Sequence, residues 1–449
     1  MKKILSSLAL ATILGAPVFL TGCANKIDEI RPVNYVDAAG ALQTSADVEA
    51  ALIGAYDGLS SAGLYGGQLQ FMSDLLGDNG EESFVGTFTQ PREAFQKTLL
   101  ITNTFVRDAW LDGYRTINIA NTVLANVSKV DASRRDKVEG EAKFIRAAVY
   151  FELVRLFGKD WNDGTPATNL AVPLILVPTD VVGSSSLVAR NTVAEVYAQV
   201  IQDLTDAEAK TPASNGVYAN KVAAQGMLSR VYLQQNRYTD AAAAANRAIS
   251  ANLYALVPNF AGEFDNPANT TEDIFAIQIS AQDGTNSLNT YYANNRRADV
   301  EIQVKHRNLY EAADDRGKYF TGIYTKKYGY TGVAGAQYRN VKVMRLAELY
   351  LTRAEANFRA GTSVGAAPLA DVNRVRARAL LAPLTTLTLD AILKERHLEL
   401  AFEGFQLNDL KRNKLPVGAL PYNSPKLVFP IPQRELDVNP NLVQNEGYL

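Results

Sequence analysis

Residues 222–251, VAAQGMLSRVYLQQNRYTDAAAAANRAISA, decide how this chain folds. Ala223 and Ala224, Met227 and Leu228, Val231 and Tyr232 recur in pairs every four residues, which puts all six on one face of a helix over 222–235. Asn236-Arg237-Tyr238 breaks the pattern as a turn, and a second helix is predicted over 239–251. The alanine run that begins at Ala241 carries nothing beyond Cβ, so the second helix can approach the first closely. The unit is a helical hairpin.

The same arrangement recurs outward from there. A helix over 341–360, stopped by Gly361 and paired with one over 366–379, carries Val343, Ala347, Tyr350 and Ala354 as its apolar stripe. Helices over 105–130 and 135–157 read as another pair. In the first of these, Trp110, Tyr114, Ile117, Asn121 and Leu124 form one stripe, and Asn121 on that seam must find hydrogen bonds or cost several kcal/mol. A further helix opens at Thr192, with Glu195 three residues on as its capping partner, and runs to Lys210. Small residues at the crossing and an aromatic near the turn resemble a tetratricopeptide repeat. The fold class that follows is mainly α: tetratricopeptide-like hairpins with a second, irregular, loop-rich half. That half is supplied by three insertions, Gly63–Gln96, Pro258–Tyr338 with a strand at Asp273–Ile279, and Leu415 to the C-terminus.

At the N-terminus, Lys2 and Lys3 precede an apolar run from Ile4 to Leu20, which ends in Leu20-Thr21-Gly22-Cys23. This reads as a lipoprotein signal peptide over 1–22, with lipidation at Cys23 and a mature chain from that residue. Cys23 is the only cysteine. Two or three acyl chains on it, at about 0.8 kcal/mol per buried methylene, hold a protein on a membrane without a spanning helix. No later segment reaches the roughly 18 apolar residues a span needs. Loss of residues 1–22 removes Lys2 and Lys3, taking the 45 basic residues to 43 against 47 acidic. With both signs interspersed, nucleic acid is excluded as a partner.

The chain has two histidines, His306 and His397, and its one thiol is the anchor, so neither histidine acid–base work nor cysteine nucleophilic chemistry is assigned. Glu395, Glu399 and Glu403 share a helix face, with Asp409 beyond, while His397 lies about 200° round from its neighbours Glu395 and Glu399. That disposition is read as ion pairing with Lys394, Arg396, Lys411 and Arg412, not as a metal centre. Asp74, Asp78, Glu81 and Glu82 lack the ordered spacing of a calcium loop and are read as a solvated loop. No cofactor and no metal are assigned.

Several segments, in order, carry a family resemblance. They are the lipobox at Cys23; Trp110-Leu111-Asp112-Gly113-Tyr114-Arg115 with Ile117, Asn118 and Asn121; and Glu141 to Ala147 followed by Tyr150-Phe151-Glu152-Leu153. They continue with Arg345 to Leu351, Arg353 to Ala356, Asn373 to Arg376, Glu395-Arg396 with Glu399, and Phe402-Glu403-Gly404. Phe429-Pro430-Ile431-Pro432, Glu435-Leu436, Asn439 to Leu442, Gln444-Asn445 and Gly447-Tyr448 close the set. On these residues the chain resembles the SusD/RagB family of outer-membrane lipoproteins. The resemblance implies about four hairpins and a single fold over 23–449. Its N-terminal part spans about 40–215 and its C-terminal part about 216–449, with the insertion at about 258–338. It also implies an anchored protein facing the cell exterior, which captures oligosaccharides or peptides and delivers them to a SusC-like, TonB-dependent transporter barrel without chemistry. One departure is the insertion that separates Gly158-Lys159-Asp160-Trp161 from Val172-Pro173-Leu174.

Sugar capture requires a flat apolar ring and planar groups that match vicinal hydroxyls. Tyr291, Tyr292, Asn294, Asn295 and Arg296 supply two rings and three polar groups within six residues and form the leading ligand-binding candidate. Tyr65, Asp78 and Asn79 in the first insertion and Trp161 are further candidates, and the tyrosines serve equally well as packing for a long insertion. Two other functions share the sequence signals: a tetratricopeptide scaffold for envelope assembly with no small ligand, and a hydrolase built on carboxylates.

Overall fold

Thr192 begins its helix as its sequence requires. Its side chain accepts the Glu195 N–H at 3.2 Å, and the Glu195 carboxylate accepts the Thr192 N–H at 2.9 Å. The computed structural model describes residues 42–448 apart from 181–182, 184–185, 283, 285 and 330–337. The signal peptide and Cys23 therefore lie outside the described residues. Leu42–Leu449 gather into one compact unit. Among the described residues no helix is long and apolar enough to cross a membrane.

The chain enters through α1 (Ser45–Leu59), α2 (Gln68–Gly77), β1 (Glu82–Phe84) and α3 (Thr89–Gln96). Then come the long pair α4 (Thr104–Ala125) and α5 (Ala132–Phe157), α6 (Val193–Lys210), and the hairpin α7 (Lys221–Gln234) and α8 (Tyr238–Ser250). In α4 and α5, Gly113 lets Leu153 pack directly on the helix backbone, and Trp110 meets Phe157 edge-on at 5.1 Å. Asn121 finds its partners. It donates to the carbonyls of Ile175 and Val177 and accepts from Arg146, whose guanidinium also grips Asp203 of α6 at 2.7 and 2.8 Å. One polar cluster thus joins three consecutive helices.

The 222–251 hairpin turns through Asn236, at φ 57°, and buries Ala241 and Ala242 of α8 with Leu233 of α7 and Ala356 of a later helix. The connecting half carries α9 (Phe260–Phe264), β2 (Asp273–Ile277), α10 (Ser287–Tyr292), β3 (Val300–Ile302), α11 (Val304–Arg307), β4 (Phe320–Thr321), β5 (Tyr324–Thr325) and β6 (Val341–Arg345). The chain then forms α12 (Leu346–Ala360), α13 (Pro368–Arg378), α14 (Leu389–Glu399), α15 (Gln406–Arg412) and α16 (Gln433–Val438). Gly361 ends α12 in the left-handed region at φ 68°.

One expectation is corrected. The helix expected from Val341 starts only at Leu346, because 341–345 is an antiparallel strand on β2 with all five residues buried. A short run buried on every face satisfies either period, and the partner strand decides it. The first insertion, read only as part of a loop-rich half, contains α2, β1 and α3, and β1 pairs with β3 of the second insertion. The C-terminal stretch seals the end of α5: Phe429 donates its N–H to the Leu156 carbonyl at 2.7 Å, and Asn445 donates to Phe157 O at 2.8 Å.

Candidate functional site

Tyr291 and Tyr292 close α10, which starts because Asn286 accepts the Asn289 N–H at 2.8 Å. Both rings point inward. Tyr291, 6% exposed, stacks on Phe71 of α2 with centroids 4.2 Å apart and planes 2° from parallel. Tyr292 is fully enclosed between Tyr328 and Phe402 and donates its hydroxyl to Glu82 Oε1 at 2.9 Å. Burial, reinforced by the Glu82 charge, pushes the Tyr292 hydroxyl well above the ordinary tyrosine range. The expected pair of open ring faces is corrected: α2 supplies an aromatic wall that draws both rings into the core.

The turn after α10 behaves differently. Asn294 is half-buried, and Asn295 and Arg296 are exposed. Arg296 reaches a cavity of about 380 Å³ whose lining includes Gln282, Asn289, Thr290 and Tyr338. Tyr338 is 37% exposed and offers the cavity an aromatic face. Amide, hydroxyl, guanidinium and phenol groups around one opening match the hydrogen-bonding pattern of a sugar.

The remaining sequence candidates do not join that cavity. Tyr65 is buried and donates to Glu152 at 2.8 Å. The Asp78 carboxylate accepts the N–H groups of Gly80, Glu81 and Glu82, each at 2.8 Å, and so fixes the turn after α2. Asn79 holds the loop at Pro416 and Gly418. Trp161 is half-buried edge-on against Tyr197 at 5.1 Å.

The acidic segment is a further correction. Asp74, Asp78, Glu81 and Glu82 are all buried, not solvated. Burial raises Asp74 to about 7 and Glu82 well above the carboxylate range, although Gly404 N–H donates to Asp74 at 2.8 Å. Glu81 instead meets both histidines. Its Oε2 lies 2.6 Å from His306 Nδ1 and 2.6 Å from His397 Nε2. Burial would raise its carboxyl, but the two imidazoles overcome that and hold it well below the usual range. Spacing within one helix gave no signal of this meeting, because the partners come from segments hundreds of residues apart.

The carboxylates around His397 do form ion pairs, but mostly with other partners than expected. Glu395 pairs with Arg316 at 2.7 Å and Arg376 at 3.2 Å. Glu399 pairs with Arg345 at 3.0 Å and also with Arg378, and Glu403 takes Arg345 and Lys327, each at 2.7 Å. Only Asp409 takes the expected Arg396 and Arg412, both at 2.8 Å.

Stacked helical hairpins beneath a loop-built half that opens a polar cavity define a helical-repeat binding protein. Residues 36–233 match the family model described as starch-binding and associating with the outer membrane, and residues 282–424 match the SusD family model. The chain belongs to the SusD/RagB family. It is 27% identical to SusD-like protein P2 of Formosa agariphila, over 96% of this chain and 97% of that one. The fold superposes on a SusD superfamily protein from Bacteroides thetaiotaomicron with a TM-score of 0.80 at 26% identity, covering 90% of this chain and 99% of that one. It is also similar in fold to a laminarin-binding SusD-like protein, with a TM-score of 0.72 and 24% identity over 90% of this chain and 100% of that one. Members of the family bind carbohydrate at the outer-membrane surface in association with TonB-dependent transport, and they are binding proteins, not enzymes.

Proposed function

We propose that this protein is anchored through acylated Cys23 in the outer membrane, faces the cell exterior, captures an oligosaccharide and delivers it to a SusC-like TonB-dependent transporter. The ligand is held at the cavity beside Arg296, with Tyr338 stacking on a sugar ring and Gln282 and Thr290 meeting hydroxyls. Tyr291 and Tyr292 serve this site from behind, by fixing α10. The observation that carries the reading is the pair of family matches over 36–233 and 282–424. The cavity's mixture of one half-open ring and several planar polar groups supports the site.

The test is calorimetric titration of the mature protein against a panel of polysaccharides, with peptides as a second arm. A polysaccharide should bind, and Arg296→Ala and Tyr338→Ala should each weaken it about tenfold, in line with the loss of one stacked or charge-assisted contact. Unchanged affinity in both variants rejects the cavity. Binding of peptides alone rejects oligosaccharide as the ligand class, and co-purification with envelope-assembly proteins instead of a transporter barrel supports the scaffold alternative.

A further inference from the structure

The chain's only two histidines sit 91 positions apart, on α11 and α14, yet both rings converge on one carboxylate oxygen from the turn after α2. The three ligand-type atoms, His306 Nδ1, His397 Nε2 and a Glu81 oxygen, all lie within 4.8 Å of one another. The imidazole planes are 77° apart with centroids at 5.4 Å, so the rings do not stack and their nitrogens can face a common point. We propose that Glu81, His306 and His397 form a binding site for a divalent transition metal, zinc above all, outside the carbohydrate cavity.

The donor set selects the metal class. Two imidazole nitrogens and one carboxylate suit zinc and its first-row neighbours, whereas calcium and magnesium prefer shells made of oxygen. Zinc needs nitrogen and oxygen ligands at about 2.0–2.2 Å, which sets the ligand atoms about 3 Å apart or slightly more. The present 2.6 Å separations from Glu81 Oε2 would therefore open by several tenths of an ångström, within reach of side-chain rotation. Metal binding frees the ring nitrogens that face Glu81: an imidazolium releases that proton to the buffer, a neutral imidazole moves it through solvent, and in either case the one remaining proton sits on the opposite nitrogen. For His306 that nitrogen is Nε2, which already has Tyr310 Oη at 3.0 Å to receive a hydrogen bond. The Tyr310 hydroxyl can in turn donate to the Leu398 carbonyl at 3.4 Å. This is the outer partner that orients a metal-bound imidazole.

The site is held and reachable. Glu81 donates its N–H to Asp78 at 2.8 Å, and its carbonyl accepts the Gln303 N–H at 2.8 Å, so its backbone is fixed on both sides. His306 is enclosed, but the His397 side chain is 25% exposed and, with Glu81, lines an open cavity of about 300 Å³. With three protein ligands, two of which line the cavity, a fourth position is left on that side for water or another oxygen ligand.

The mature chain, stripped with chelator and dialysed, is titrated with Zn²⁺ by calorimetry and with Co²⁺ by visible absorption at pH 7.5. One equivalent of Zn²⁺ should bind in the micromolar range or tighter, Co²⁺ should give d–d bands, and the melting temperature should rise with metal. His397→Ala and Glu81→Gln should each weaken Zn²⁺ binding by about 100-fold, and carbohydrate affinity of the metal-free protein should not change. His306→Ala removes a buried ring and can fail to fold, so His397→Ala, at the exposed edge, and the near-isosteric Glu81→Gln decide the matter. Absence of stoichiometric Zn²⁺ binding, or binding that both of these variants retain in full, overturns the proposal.

Discussion

Replacing Arg345 with methionine takes the hub out of the buried ion network, and its consequence can be worked from the geometry. The guanidinium is 1% exposed and donates to Glu272, Glu399 and Glu403 at 2.7 to 3.0 Å. In this cluster Glu272, Asp314, Glu395, Glu399 and Glu403 face Arg316, Lys327, Arg345, Arg376 and Arg378, so the charges balance. Arg345→Met leaves one carboxylate in excess where water cannot reach it, at a cost of about 3–5 kcal/mol. With an unfolding entropy of about 2.1 cal/mol/K per residue over roughly 400 residues, this lowers Tm by about 4–6 °C. The loss depends on pH. Burial raises the Glu403 carboxyl, and Arg345 with Lys327 overcomes it, so in the wild type this group sits below its ordinary range. Such a group contributes stability above the unfolded carboxylate pKa, and the contribution is lost as pH falls through the folded value. Without Arg345 the burial effect dominates, the carboxyl takes up a proton, and the deficit should be smaller at pH 5 than at pH 7.5. Urea denaturation at both pH values measures it, and the double variant with Glu403→Gln should recover more than half of the loss at pH 7.5. A deficit below about 1 kcal/mol at both pH values, or one that the second substitution leaves untouched, refutes the reasoning.

Three further outcomes are expected. Gly77→Ala should cost about 2–3 kcal/mol in urea denaturation, because the new Cβ would sit 2.7 Å from the Leu407 backbone nitrogen and 2.8 Å from its Cα, and main chain cannot rotate away; wild-type stability would contradict this. Burial raises Asp74 to about 7, so its contribution to stability is complete below the unfolded value near 3.8 and is lost as pH climbs through the folded value. Asp74→Asn does not titrate there, and its stability relative to wild type should improve by about 1 kcal/mol per unit between pH 5 and 7; a constant difference across that window rejects the assignment. Cys23→Ser should abolish incorporation of a palmitate analogue and move the protein from the membrane pellet to the soluble fraction, and a variant that stays labelled in the pellet contradicts anchoring at this residue.

The helices were legible wherever a local period or cap settles them. The paired positions of 222–235, the Thr192–Glu195 box and Gly361 each specify structure within a few residues, and Asn121 interrupts its stripe for the reason expected, as the acceptor for Arg146. Residues 341–345 read locally as the start of a helix, but their conformation is set by β2, about 70 positions away. The site was less legible for the same reason. Tyr291 and Tyr292 read as an open platform until Phe71 and Glu82, contributed by another insertion, turn them inward. The acids at 74–82 read as solvated, since nothing local announces that His306 and His397 will reach Glu81. Arg296 and Tyr338 line the same cavity from the middle and the end of one insertion, 42 positions apart, and only Arg296 stands out in the sequence.

Carbohydrate capture without cleavage is best tested by retarding the mature protein in native gels that contain single polysaccharides, then assaying the retarding polysaccharide for new reducing ends after prolonged incubation. At least one polysaccharide should slow migration in a concentration-dependent way, and its chain length and reducing-end content should stay unchanged. Unaltered mobility on every polysaccharide, or release of reducing ends that disappears when a carboxylate is substituted, would contradict the account.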